Sequence, residues 1–476
     1  MVALRFIMIF VAGVVLTASA VDAFAQEQAA QPVPPQQGPV TIVVQPVASP
    51  AEAAPPHPGY NPAPAGALTL EDCLNVALGG HPRIKAAVED LVGGKLKVIE
   101  TEAAWWPTLA FQANRQYVHS ERPVSAGPVS TTTSSDNWAN NINFNAAWTF
   151  YNFGRTGYAV AGTRALEAAL TMDLNATEQT VAYDVMDAYF NLLKAQTLVG
   201  VAEQTLAAAK GHLKQAQAFY DVGVKPRFDV TKAEVEVNDA SLQVLQAKDA
   251  VRAARMTLNT KMGIQPQSTT IVSDRPNLEK LEKPVDEYIR EALANRPELR
   301  GLQARLQSGE LTVRAENANY YPQLSASMSQ NLYNDDTDNF YPNTTVQFSL
   351  DLPVFEGFRT RSRVGEARAA VNAAKYRIED AKTNVMNDVS QAYLSVEDAR
   401  ARLDTLTFSV RQAKENLDIA QGRYEAGVGA LIDVTDAQVA LTKAMTDEAQ
   451  AFYDYHLAYS RLLRSTGSGP VKTAGK

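Results

Sequence analysis

Asp433 and Asp436 stand three residues apart in GVGALIDVTDAQ, so on a helix both carboxylates project from one face. A pair so placed attracts cations; its simpler role is to favour the N-terminal end of a helix, where acidic side chains offset exposed backbone N–H groups. Other reactive groups are too dispersed for catalysis. The histidines His57, His81, His119, His212 and His456 are scattered, none at metal-ligand spacing with a cysteine. No phosphate-cradling glycine loop and no nucleophile elbow occurs. Cys73 is the only cysteine, which excludes an intrachain disulfide. Its setting in LEDCLNVAL, with no run of small residues before it, fits a buried helix position and not a lipid-attachment site. The pattern predicts no enzyme, no metal centre and no cofactor.

Bulk properties narrow the class. A formal net charge of −8 leaves no electrostatic footprint for nucleic acid. The first 25 residues carry Arg5, an apolar run from Phe6 to Leu16 and then Ala23-Phe24-Ala25, the pattern of a secretory signal peptide and too short a run to span a bilayer. Residues 26–67 are rich in Pro, Ala and Gln and read as a disordered leader. No later stretch approaches the ~20 apolar residues of a transmembrane helix. An exported chain without one is either soluble outside the cytoplasm or a barrel.

The elements that would position the carboxylates are written twice. ALGGHP at 77–82 returns as ALANRP at 292–297, and WWP at 105–107 as YYP at 320–322, both 215 residues later. YDVGVKPRFDV at 220–230 returns as YEAGVGALIDV at 424–434, and AYF at 188–190 as AYL at 392–394, both 204 later. The first copy is therefore 11 residues longer. Its surplus falls in HSERPVSAGPVSTTTSSD, which predicts a surface loop. Each copy reads helix, strand, loop, strand, long helix, tight turn, helix. That order divides the chain into a first repeat at 68–262, a linker at 263–284, a second repeat at 285–465 and a short tail at 466–476.

In the second long helix, apolar residues from Val364 to Tyr424 alternate spacings of three and four, with two successive fours at Ala381, Val385 and Val389. That is a heptad seam with one stutter. The uninterrupted pattern of residues 155–222 makes a rod of about 100 Å at ~1.5 Å per residue. Helices over roughly 83–106 and 226–262 would nearly match it if stacked end to end. Such rods predict an extended helical barrel.

Four other segments, about 108–119, 138–151, 323–333 and 344–354, alternate at period two and read as strands. The even positions Trp138, Ile142, Phe144, Ala146, Trp148 and Phe150 oppose Asn141, Asn143, Asn145 and Thr149. In the second copy Leu324, Ala326 and Met328 oppose a run of serines, and Val346, Phe348 and Leu350 oppose Thr345, Gln347 and Ser349. Apolar outside and polar inside is the transmembrane barrel pattern. Trp138 and Trp148, on one face, are about 25 Å apart along a membrane normal. Trp105, Trp106, Tyr320 and Tyr321 gather where strands meet helices, as interfacial aromatics would. Four strands cannot close a barrel and open edges are not tolerated in lipid, so the chain must oligomerise.

The opening LTLEDCLNVALGGHP, the aromatic-Pro before each hairpin, FYNFGRT and VFEGFRT after them, and glycine turns followed by Asp-Val together resemble the TolC family of outer-membrane efflux proteins, over roughly residues 68–465. The resemblance implies an α+β membrane protein, a homotrimer whose 12-stranded transmembrane β-barrel (four strands per protomer) continues into a long periplasmic α-helical coiled-coil barrel. It implies an outer-membrane duct that conducts passively, in contact with outer-membrane lipid. The duct would work with a periplasmic adaptor protein and an inner-membrane transporter, for efflux or type I secretion. Val222, Gly223, Val224, Gly427 and Val428 match tip positions that touch the adaptor. Asp433 and Asp436 match the constricting aspartate ring of the periplasmic gate, while Asp229 and Tyr424 match its latch. A basic residue common after the second glycine is replaced here by Gly429; Lys225 and Arg227 lie on the other tip instead. The alternative is a periplasmic coiled-coil scaffold without channel activity, which explains the heptads but not the strands.

Overall fold

The computed structural model describes residues 67–126, 129–272, 276, 278, 281–335 and 340–467. The signal peptide, the leader up to residue 66, the tail from residue 468 and residues 273–275, 277 and 279–280 of the linker lie outside the described residues.

The chain opens with β1 (Ala67–Leu68) and α1 (Leu70–Gly80), whose start is fixed by a reciprocal cap. The Asp72 amide donates to Thr69 Oγ1 at 3.3 Å and the Thr69 amide to Asp72 Oδ2 at 3.0 Å. Pro82 then opens α2 (Pro82–Glu102), with the Arg83 amide donating to His81 Nδ1 at 3.1 Å. A 3-10 turn (Ala103–Trp105) leads into strands β2 (Thr108–Ala126) and β3 (Val129–Tyr151). The long helix α3 (Arg155–Asp221), α4 (Arg227–Met262) and β4 (Ile271–Val272) follow. The second half repeats the order: α5 (Val285–Asn295), α6 (Pro297–Ala318), β5 (Gln323–Asp335), β6 (Tyr341–Asp351), α7 (Arg359–Glu425) and α8 (Leu431–Ser465). The helices α3 and α7 each run 67 residues.

Two glycines set the ends of the shorter rods. Gly263 and Gly467 follow α4 and α8 with φ of +74° and +72°, a conformation open to glycine and costly for other residues. A Cβ on Gly263 would lie 3.1 Å from Pro82 Cδ, and one on Gly467 3.1 Å from the Arg296 backbone. So the end of α4 abuts the start of α2, and the end of α8 abuts the start of α6. Each pair forms one interrupted rod beside α3 or α7.

The stutter is visible in the packing. Along α7 the buried seam includes Val364, Val371, Ile378 and Val385, then Val389, Val396, Leu403, Leu417 and Tyr424, with Thr360 and Ala420 buried beside it. The step of seven breaks once, at 385–389, where Tyr288 and Ala292 of α5 join the same core. Inserting four residues relaxes the left-handed supercoil at the point where the coiled coil accommodates an extra helix. The matching core of the first half holds Leu74 and Ala77 of α1 against Val185, Tyr189 and Leu192 of α3. Cys73 is fully buried there, and burial pushes its thiol up to about 12.

One expectation is corrected. The surface loop expected at 119–136 is instead mostly strand: β2 and β3 run 19 and 23 residues and stay in register from Thr108↔Ala147 to Ala126↔Val129. Ser, Thr and Val suit a ladder, and β2 is an edge strand, where Pro123 is tolerated.

Candidate functional site

The four long strands form one antiparallel sheet in the order β2-β3-β5-β6. Register puts the two chemistries on separate faces. Phe111 pairs with Phe144, Ala146 with Met328 and Met328 with Val346, while Leu350 pairs with Leu324, all on one face. Gln112, Asn143, Asn331 and Asn343 form one row of the other. The apolar face is bare: Leu109, Phe348 and Leu350 are exposed. Trp148 Nε1 donates to the Trp105 carbonyl at 2.9 Å, and Tyr117 packs against Trp138 with ring centroids 5.2 Å apart. Trp105, Trp106, Tyr320 and Tyr321 are all exposed at the helix-facing end of the strands, with Tyr321 stacked on Phe153 at 5.2 Å. Both β2 and β6 have a free edge within the chain.

At the far end of the long helices, the tips turn on Gly223 and Gly427, with φ of +76° and +77°. The Val224 amide donates to the Phe219 carbonyl at 2.9 Å and the Val428 amide to the Arg423 carbonyl at 3.1 Å, closing each helix end in the same way. The valines beside these glycines face solvent: Val222 is 71 % and Val428 73 % exposed, and Val224 and Phe228 are exposed beside them. Apolar side chains clustered on a tight turn cost solubility unless a partner covers them.

The structure locates the four gate candidates in two groups. Tyr424 is buried at the end of α7 among Leu431, Val434 and Phe219. Its hydroxyl has no hydrogen-bond partner among the described residues. Burial, and then the negative charge of Asp229, raise its pKa above the ordinary phenol value. Asp433 and Asp436 lie on the exposed face of α8, opposite buried Val434 and Ala437. Asp433 also accepts from the Ala430 amide at 3.3 Å and so caps its own helix. No hydrogen bond or ion pair among the described residues joins these two carboxylates to Asp229 or Tyr424.

Lys225 is the contact that sequence spacing left unresolved. From the first tip its Nζ reaches the Gly429 carbonyl of the second at 3.4 Å and stands 5.1 Å from the centre of the Tyr424 ring. Both partners are about 200 residues away in the chain, so only a repeat offset hints at the pairing. Among the described residues no cluster of His, Cys, Asp or Glu could hold a metal ion, and no helix is long and apolar enough to cross a membrane.

Comparison with known proteins gives a consistent result. The family model described as outer membrane efflux protein matches residues 73–263 and 288–468. The chain is 24% identical over 413 residues to the alkaline protease secretion protein AprF of Pseudomonas aeruginosa, covering 84% of each. It is 23% identical over 400 residues to the outer membrane protein TolC of Escherichia coli, covering 79% of this chain and 77% of that protein. Among solved structures the outer-membrane channel OprN superposes with a TM-score of 0.72 at 21% identity, over 84% of this chain and 90% of that one.

Proposed function

Because this chain belongs to the outer membrane efflux protein family, we propose that it is a passive duct of a tripartite efflux pump or type I secretion system, gated at its periplasmic tips. It is an outer-membrane protein of the TolC family. The finer reading is a homotrimer, in which 68–262 and 285–465 act as two structural repeats joined by 263–284. Three sheets of four strands close a 12-stranded barrel and the rods continue it as a periplasmic tube.

The observation that carries this reading is a sheet with two free edges and one bare apolar face. Lipid satisfies the face; only another strand satisfies an edge. The helices on the two flanks support the same closure. On α7, exposed Tyr376, Met386, Leu394, Phe408 and Ile419 follow a 3.6-residue period along one stripe. On the opposite flank α2 exposes Val88, Val92, Leu96 and Ile99, and α4 exposes Val235, Leu242 and Leu245. Stripe against stripe, with β6 beside a neighbour's β2, is a heterologous contact that closes a ring.

At the tips, Val222, Gly223, Val224, Gly427 and Val428 offer an adaptor an apolar surface around two glycine turns. In three copies Asp433 and Asp436 ring the axis and attract cations, and Lys225 against Tyr424 joins the hairpins, with the Asp229 charge acting on the same Tyr424 ring as the other half of the gate. In this reading the inner-membrane transporter supplies the energy, and the described residues hold no metal-binding cluster.

The test is extraction and mass. The protein should resist alkaline carbonate, require detergent and run as a trimer, and Leu394→Arg should release monomer. A chain that washes off with carbonate as a monomer is the scaffold alternative, and the duct is then wrong.

A further inference from the structure

We infer that the base of the barrel, where strands pass into helices, carries a binding site for oxyanions (carboxylate or phosphate groups of a solute in transit) built from Arg155, Arg359 and Arg363. The inference rests on the duct reading, since it needs the wet face of the sheet to front a water-filled bore.

The wet face carries no charge for most of its height. Gln112, Asn114 and Gln116 of β2 stand on it with Asn141, Asn143 and Asn145 of β3, and Ser325, Ser327 and Ser329 of β5 with Gln347 and Ser349 of β6. The row nearest the helices is Gln323 opposite Asp351. A cavity of about 220 Å³ opens there, between the starts of α3 and α7 and the segment that joins α6 to β5. At about 30 Å³ per water it has room for an oxyanion and several waters.

Three guanidinium groups and two carboxylates line the cavity. Their pairing leaves positive charge over. Arg155 donates from Nη1 to Asn319 Oδ1 at 3.1 Å and from Nη2 to Gln323 Oε1 at 3.0 Å, both neutral amides. It is held in position without being neutralised. Glu356 is already taken by Arg359 and Thr360, whose hydrogen bonds keep its carboxyl below the usual range. Arg363 is exposed and makes no hydrogen bond or ion pair among the described residues. The charge of Arg363 also acts on Glu356, so the two carboxylates of the cavity, Glu356 and Asp351, face three guanidinium groups and one positive charge is left over. A guanidinium presents a planar fork that matches two oxygens of a carboxylate or phosphate. Because both halves of the chain contribute, a ring of copies repeats the site around the bore as its first fixed charges below the amide-lined wall.

The experiment uses wild-type channels in planar bilayers in KCl, with citrate and then tripolyphosphate as blockers. Either probe should reduce the current, and Arg155→Gln with Arg363→Gln should raise the half-blocking concentration about tenfold, one charge-assisted contact's worth, with the KCl conductance kept. The Lys variants at both positions should keep most of the block. Block by citrate alone assigns the site to carboxylates, and block by tripolyphosphate alone to phosphates. If Arg155→Gln prevents assembly, Arg363→Gln by itself should weaken the block. Block unchanged by the Gln variants, or no block in wild type, overturns the site while leaving the duct intact. Failure to conduct KCl at all overturns the duct, and the site with it.

Discussion

At the tips one ammonium group reaches from the first helical hairpin to the second, beside the edge-on contact of Phe219 with Tyr424. Lys225 meets a carbonyl and an aromatic face on the second tip, contacts that together contribute about 1 kcal/mol at a part-exposed site. Lys225→Ala should therefore raise the fraction of time the tips stand open roughly fivefold in single-channel records. Lys225→Arg, which keeps both contacts, should not. His81 is one residue through which pH acts on the rods. Burial, and then the charge of Arg83, lower its imidazole pKa below the ordinary value, so the neutral ring that caps α2 is favoured in the folded state. A depressed histidine stabilises above the unfolded value of ~6.5 and loses that contribution as the pH falls below it. Thermal melts of the solubilised protein should show a lower midpoint at pH 5 than at pH 8, and His81→Asn, which caps without titrating, should narrow the gap.

The helices and strands were largely legible from the chain, because their periods are long and uninterrupted. Residues 155–222 were expected as one helix and α3 runs Arg155–Asp221. The alternation at 138–151 places its two chemistries on the faces that the register shows. The extended β2–β3 hairpin was not legible, since Ser-, Thr- and Pro-rich sequence reads equally well as loop or edge strand. Pairings across the molecule were hidden for another reason. Lys225 with Gly429, and Arg155 with Gln323, join residues far apart in sequence whose types carry no mark of partnership. At this scale the joint between stacked rods is the sensitive point. Gly263→Ala must hold a left-handed backbone and press on Pro82, so it should cost about 1–2 kcal/mol and lower the melting midpoint. Gly200→Ala, inside α3 with open space around it, should raise it slightly.

For the whole molecule, a sheet with two free edges and bare helical stripes presents the surfaces that the proposed ring would cover. In the proposed duct the amide-lined stretch of the barrel wall lies between guanidinium groups at the barrel base and residues beyond it, and the tips add the Asp433 and Asp436 carboxylates. Selectivity should then be set where the tube is narrowest. The most direct measurement is single-channel conductance of detergent-extracted protein, comparing wild type with Asp433→Ala plus Asp436→Ala while Mg²⁺ is titrated. Small, cation-selective currents that Mg²⁺ blocks in wild type, with selectivity and block both lost in the double variant, are the predicted result. Pores of equal selectivity and equal Mg²⁺ sensitivity in both proteins would contradict the carboxylate gate, and absence of pores in either would contradict the duct itself.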